Sequence, residues 1–236
     1  MPAGPKGRVV VWVDGAGKEG LGRRAADGSW KWSPAVSRLL DKGHVVLGVD
    51  LFLQGEFLAD GQPVRQTRRV KNERESAAYT FGYNPSLFAQ RVQDLLSVLS
   101  WVRSSEASAV VGQVNWLGAV GFGEAAPWVL AARAVAGGAI DAAAVDTAGF
   151  RFQGVRDSRA PGFLPGGARY LDLPGVIALG APGALWLAGE GREVSELPAE
   201  IRMAYAGAAK KLRLAPTGGE ATARAGAAVK WLLSAR

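Results

Sequence analysis

The chain has 236 residues, 48% of them apolar and 21% charged, a composition that suits a globular protein with a sizeable core and excludes a disordered one. It contains no cysteine, which excludes disulfides, thiolate nucleophiles and cysteine-ligated metals. The net charge of +7 permits attraction to polyanions. However, the densest basic stretch, residues 65–71 with Arg74 beyond it, has no interleaved aromatics and reads as a solvated loop, so nucleic acid is not an expected partner.

Residues 1–8 have no apolar core of a signal peptide, and no apolar run reaches the roughly 18 residues of a membrane span. The expectation is one domain over residues 1–236, with no membrane contact and cytoplasmic by default. Val9-Val-Val-Trp-Val13 is a continuous β-branched run ending in the turn Asp14-Gly-Ala-Gly17, which predicts a buried parallel strand. Ser33-Pro34 predicts a capped helix through Leu39 and Leu40, stopped by Gly43. Residues 44–50 predict the second strand, and residues 51–82 a long polar excursion.

Asn84-Pro85 opens a long amphipathic helix, with Leu87, Phe88, Val92, Leu95, Leu96, Leu99 and Val102 on one face. Residues 116–121 predict the third strand, followed at once by a helix over 124–136 that Gly137-Gly138 ends. A fourth strand over 140–145 ends at Asp146, and residues 150–180 read as irregular. Residues 184–188 form a fifth strand ending at Gly189-Glu190. A helix over 198–209, a short strand over 212–215 and a C-terminal helix over 220–233 complete the chain. Strands alternating with helices predict a parallel sheet covered on both faces. Ligands bind such sheets beyond the C-terminal strand ends, which here carry Asp14, Asp50, Gly121 to Glu124, Asp146, Glu190 and Thr217.

The segment from Trp116 to Trp128 has the strand, sharp turn and helix of a nucleophile elbow. That motif reads Gly-x-Ser-x-Gly because its strained turn needs small neighbours. The same frame here is Gly121-Phe-Gly123-Glu-Ala125, with glycine at the serine position, and Gly123 has no side chain with which to attack a carbonyl. Taken alone, the motif also fits a plain tight turn in another doubly wound fold. It fits a dinucleotide fingerprint poorly, because Ala126 replaces the third glycine.

With residues 42–56, the string Tyr83-Asn-x-x-Leu-Phe-Ala-x-Arg91-Val-x-Asp94 and the elbow frame, the chain resembles the α/β-hydrolase superfamily, in particular the acetyl xylan esterase and dienelactone-hydrolase-like group. The likeness runs over roughly residues 8–235. It implies an α/β-hydrolase-like three-layer sandwich, an esterase-like activity on carboxylic esters such as acetylated carbohydrates, and no cofactor. It also implies a serine at position 123, an acid at Glu190 (Asp146 less readily) and a histidine in the turn at Thr217. Only the acid is present.

The one histidine, His44, lies at the start of the second strand, at the sheet's opposite edge. The expectation is therefore a degenerate esterase-like domain serving as an accessory, interaction or ligand-binding scaffold. The alternative is an esterase using Glu124, Asp146 or Glu190 with water. Asp14, Gly15, Gly17 and Lys18 are candidate binders of an anion or carbohydrate group, against the simpler reading of a plain turn. Glu124 reads first as a helix cap, and Asp146 and Glu190 as loop anchors or a carboxylate pair. No metal set is expected. A small ester or carbohydrate ligand and a protein partner are the conceivable partners. Trp30 and Trp32 sit in an expected loop, where sugar stacking competes with packing over the sheet edge.

Overall fold

The computed structural model describes residues 7–62, 64–67, 77–215 and 220–235. In chain order its elements are β1 (Arg8–Val13), β2 (Gly22–Arg24), β3 (Trp30–Trp32), α1 (Pro34–Asp41), β4 (Val45–Gly48), α2 (Ala77–Phe81), α3 (Leu87–Val102), α4 (Ser105–Val111) and β5 (Trp116–Phe122). There follow α5 (Ala126–Ala136), β6 (Ala142–Asp146), α6 (Asp172–Leu179), β7 (Ala184–Ala188), α7 (Ala199–Ala204), β8 (Leu212–Leu214) and α8 (Ala221–Ser234). Six strands form one sheet in the order β4-β1-β5-β6-β7-β8, and every neighbouring pair is parallel.

Alternation along the strands makes the layers, because successive side chains point to opposite faces. Val9, Val11 and Val13 of β1, with Leu117, Ala119, Val145, Leu185 and Leu187, face a core built on α3 and α5. Val10, Trp12, Val120, Ala144 and Trp186 face a second core with α1 and α8. Strand β6 is Ala-Ala-Ala-Val-Asp, fully buried, and its small side chains let α5 and α8 approach from either side. Helix α1 begins as the sequence predicts: the Ser33 hydroxyl accepts from Val36 N at 3.3 Å and Pro34 occupies the first helical position.

Three expectations need correction. The segment that carries Trp30 and Trp32 is not a loop but strand β3, paired with β2 in a hairpin, with Trp30 half-buried and Trp32 exposed. Residues 150–180 are not irregular throughout, because α6 lies within them. Its Asp172 carboxylate accepts from Phe152 N at 2.7 Å and Gln153 N at 2.9 Å, tying the helix to the preceding turn. The helix expected over 198–209 ends at Ala204; the chain continues as a 3-10 turn broken by non-helical backbone at Ala208. No helix among the described residues is long and apolar enough to cross a membrane.

Candidate functional site

Strand β5 delivers the chain to a sharp turn at Gly123, whose φ of +57° lies in the left-handed region. A 3-10 turn over Gly123–Ala125 leads into α5. The flanks must be small for a steric reason. A Cβ on Gly121 would lie 2.7 Å from Val129 Cγ2 and 2.9 Å from the Ala125 carbonyl oxygen, and Ala125 is itself fully buried. Position 123 differs from both, since a Cβ there would meet nothing within 4 Å. The turn thus has the shape of a nucleophile elbow, with its central substituent position facing open space and empty.

The loop after β1 is locked from within. Ala16 N donates to Asp14 Oδ1 at 2.9 Å, Gly17 N to the Asp14 carbonyl at 3.1 Å, and Lys18 N to Asp50 Oδ1 at 2.8 Å. Gln54 Nε2 donates to the carbonyls of Asp14 and Gly15 at 3.0 and 2.7 Å. Lys18 Nζ reaches Glu56 at 2.7 Å and Asp50 at 3.5 Å, and the Glu56 carboxylate raises the Lys18 pKa above its usual value. Three of the backbone donors available for an anion are therefore directed at the protein's own acceptors. Glu124 lies across from this loop, with its Oε2 3.4 Å from where a Gly15 Cβ would stand.

Each acid at the late strand ends holds its own arginine. Glu190, whose side chain is fully buried, pairs with Arg151 Nη2 at 2.6 Å and Nη1 at 3.0 Å, and accepts the Thr147 hydroxyl at 2.6 Å. Asp146 accepts from Arg224 Nε at 2.5 Å and from Ala148 N at 3.0 Å. The bidentate, charge-assisted pairing of Glu190 with Arg151 fixes that carboxylate in place. It clamps the turn 147–149, where Ala148 and Gly149 both have positive φ. Among the described residues, no three His, Asp or Glu side chains are grouped to hold a metal ion.

His44 lies beside the N-terminal strand ends, buried, accepting from Arg8 Nε at 3.1 Å and set edge-on to Trp116 with ring centroids 6.2 Å apart. Trp116 and Gly123 stand at opposite ends of β5, roughly 20 Å apart at the rise of a β-strand. Thr217, the expected histidine position, lies outside the described residues, as do positions 68–76 of the basic stretch.

Sequence reasoning missed Arg91 as a site residue. It is 2% exposed on α3, stacks over the Trp128 ring at 4.5 Å, and donates from Nε and Nη2 to the carbonyls of Phe52 and Leu53, both at 3.1 Å. Burial lowers its pKa to about 10, against the opposing pull of Glu124 and Asp94. Asp94, one helical turn on, accepts from Phe52 N at 2.7 Å. The two residues pin the loop after β4 beneath the elbow, and both belong to the string that carries the family likeness. Their separation of about 40 residues from that loop hides the contact from local patterns.

A cleft of about 480 Å³ opens beside the elbow helix, walled mainly by Phe88, Trp128, Phe150, Val155 and Pro161, with the exposed Glu124 contributing a carboxylate and Arg156 and Asp157 lying on the wall formed after β6. An apolar hollow with a few convergent polar groups is the usual form of a small-molecule site.

No family model matches the chain, and no curated protein sequence does. Solved structures do match. A protein described as an acetyl xylan esterase from Bacteroides fragilis superposes with a TM-score of 0.56 at 15% identity, over 91% of this chain and 59% of its own. A dienelactone hydrolase from Klebsiella pneumoniae matches with a TM-score of 0.55 at 16% identity, over 100% of this chain and 88% of its own. The Pyrococcus furiosus esterase gives 0.51 at 15% identity, over 95% and 83%. The chain has the α/β-hydrolase fold. It spans 59% of the length of the Bacteroides protein.

Proposed function

We propose that this chain is a degenerate α/β-hydrolase, an esterase-like scaffold without a working nucleophile and base, which serves as a ligand-binding or interaction domain. The observation that carries this reading is Gly123. It keeps the left-handed backbone of the elbow and an open space above it, while the only imidazole in the sequence lies at the far end of β5. Serine hydrolysis needs a hydroxyl and a base within hydrogen-bond reach of each other. Glu190 and Asp146 support the reading, because their carboxylates are tied to Arg151 and Arg224. The cleft beside α5 then holds a small ester or similar ligand by apolar contact, with Glu124 as acceptor for a donor group.

The test is an activated short-chain ester with a fluorophosphonate probe. The expected result is no turnover above the buffer rate and no labelling. Gly123→Ser is expected to fold, to lose about 1 kcal/mol because serine resists positive φ, and to remain unlabelled for want of a base. Turnover in the unmodified chain that resists fluorophosphonate and disappears in Glu124→Gln would instead establish an esterase working through the exposed carboxylate and water.

A further inference from the structure

Strand β3 carries its two tryptophans on one face of the hairpin, because residues two apart on a strand point the same way. Their rings meet edge to face, with centroids 5.8 Å apart and planes inclined by 70°. Trp30 is held there by an absence. A Cβ on Gly22 would lie 2.7 Å from Trp30 Nε1 and 3.0 Å from Trp30 Cε2, so the indole takes the place of a side chain on the neighbouring strand. Trp32 has no such cover and is 48% exposed. Packing over the sheet edge thus accounts for much of Trp30 and leaves Trp32 without a structural task.

Both rings border a hollow of about 370 Å³ between the hairpin and β4, a volume within the range of small-molecule sites. Leu21, which fills the space over Gly48, and Val46 complete its apolar lining. These two residues pack with the core on the α1 side of the sheet, whereas Phe88 and Trp128 of the cleft beside α5 belong to the other core, so the two hollows lie on opposite faces. Four charged side chains, Lys18, Glu19, Arg24 and Glu56, border the hollow at the hairpin, and their charges cancel. Lys18 is already paired with Glu56 and Asp50. The side chains of Glu19 and Arg24 are exposed, and neither makes an ion pair or hydrogen bond with another described residue.

We propose that this hollow binds a neutral carbohydrate, with one sugar ring lying against Trp32. The lining discriminates between classes of ligand. A purely apolar body would strip water from Glu19 and Arg24 and give them no hydrogen bond in return. An anion would gain from Arg24 but meet the carboxylates of Glu19 and Glu56, and a cation would gain from Glu19 but meet Arg24 and Lys18, so a rim without net charge favours neither. A sugar suits both parts of the lining. Its hydroxyls donate to the Glu19 carboxylate and accept from the Arg24 guanidinium. Its weakly positive C–H face lies on the negative face of the indole. Trp30, fixed over Gly22, sets the second wall at an angle to the first, so the ligand is held in a corner and not on a flat platform.

Isothermal titration calorimetry with neutral oligomers of glucose, xylose, mannose and N-acetylglucosamine tests this. The expected result is binding of at least one of them at millimolar concentration or below. Trp32→Ala removes a ring that lies half in solvent. It is expected to stay folded by circular dichroism and to weaken that binding by roughly tenfold or more, while Trp32→Phe retains part of it. The double variant Glu19→Gln with Arg24→Gln leaves both rings in place and is expected to weaken binding as well; it decides the matter if Trp32→Ala does not fold. Failure of every oligomer to bind overturns the proposal, as does binding that Trp32→Ala leaves unchanged. Binding lost in Phe150→Ala but kept in Trp32→Ala overturns it too, and places the sugar in the cleft beside α5. Tighter binding of tetramethylammonium or benzoate than of any sugar overturns the choice of a neutral ligand.

Discussion

Replacing Arg91 by methionine is expected to lower the unfolding free energy by about 3 kcal/mol, a fall in Tm of roughly 6–12 °C for a chain of this length. Methionine approximates the apolar stem and can still lie against Trp128. It supplies no donors, so the carbonyls of Phe52 and Leu53 lose the partners that Arg91 gives them. Leu53 has a φ of +56°, a strained conformation for a branched residue that these bonds help to hold. Urea denaturation of the two proteins measures the difference, and a loss below about 1 kcal/mol would mean that Arg91 is not what secures this loop. The expected damage is local as well, so amides of residues 51–54 should exchange faster in the variant.

Gly121→Val is expected to cost about 3 kcal/mol. Its backbone is ordinary strand, so the cost is steric. The new side chain meets Val129 of α5 and the carbonyl of Ala125, and α5 must move away from the sheet to admit it. Two glycines two residues apart therefore respond differently. Gly121 is needed because a helix packs on it, and Gly123 because of its backbone angle alone. Equal losses for Gly121→Val and Gly123→Ser in the same denaturation series would refute that distinction.

Much of the architecture was legible because its signals are local. The β-branched run at β1, the Ser33-Pro34 cap and the apolar face of α3 each state their structure within a few residues. The small-residue frame around Gly123 does the same for the elbow. The hairpin β2–β3 was overlooked although its signal is present. Asp27-Gly28 is a turn dipeptide, Gly28 has a φ of +80°, and Asp27 Oδ1 accepts from Ser29 N at 2.9 Å. Its strands are three residues each, too short for alternation to show.

Helix α6 was hidden by Pro174 and Gly175, which read as breakers. A proline in the first turn costs no hydrogen bond, however, because that N–H has no partner in the helix. Arg91, the arginine partners of the two acids and the hollow between the hairpin and β4 were not legible, because each depends on which distant segments meet. Sequence placed Glu190 and Asp146 at strand ends; only the fold shows that Arg151 and Arg224 already hold them.

On the proposed ligand-binding reading, the arginine grip on Glu190 also bears on how the cleft would admit a visitor. The wall that carries Phe150, Val155 and Arg156 springs from the turn which that grip immobilises, so its outline is set before any guest arrives. On that reading, entry would require little ordering of the host, and selection would fall on shape from the first encounter. A compound of the wrong outline would be turned away by rigidity, without need of an opposing charge.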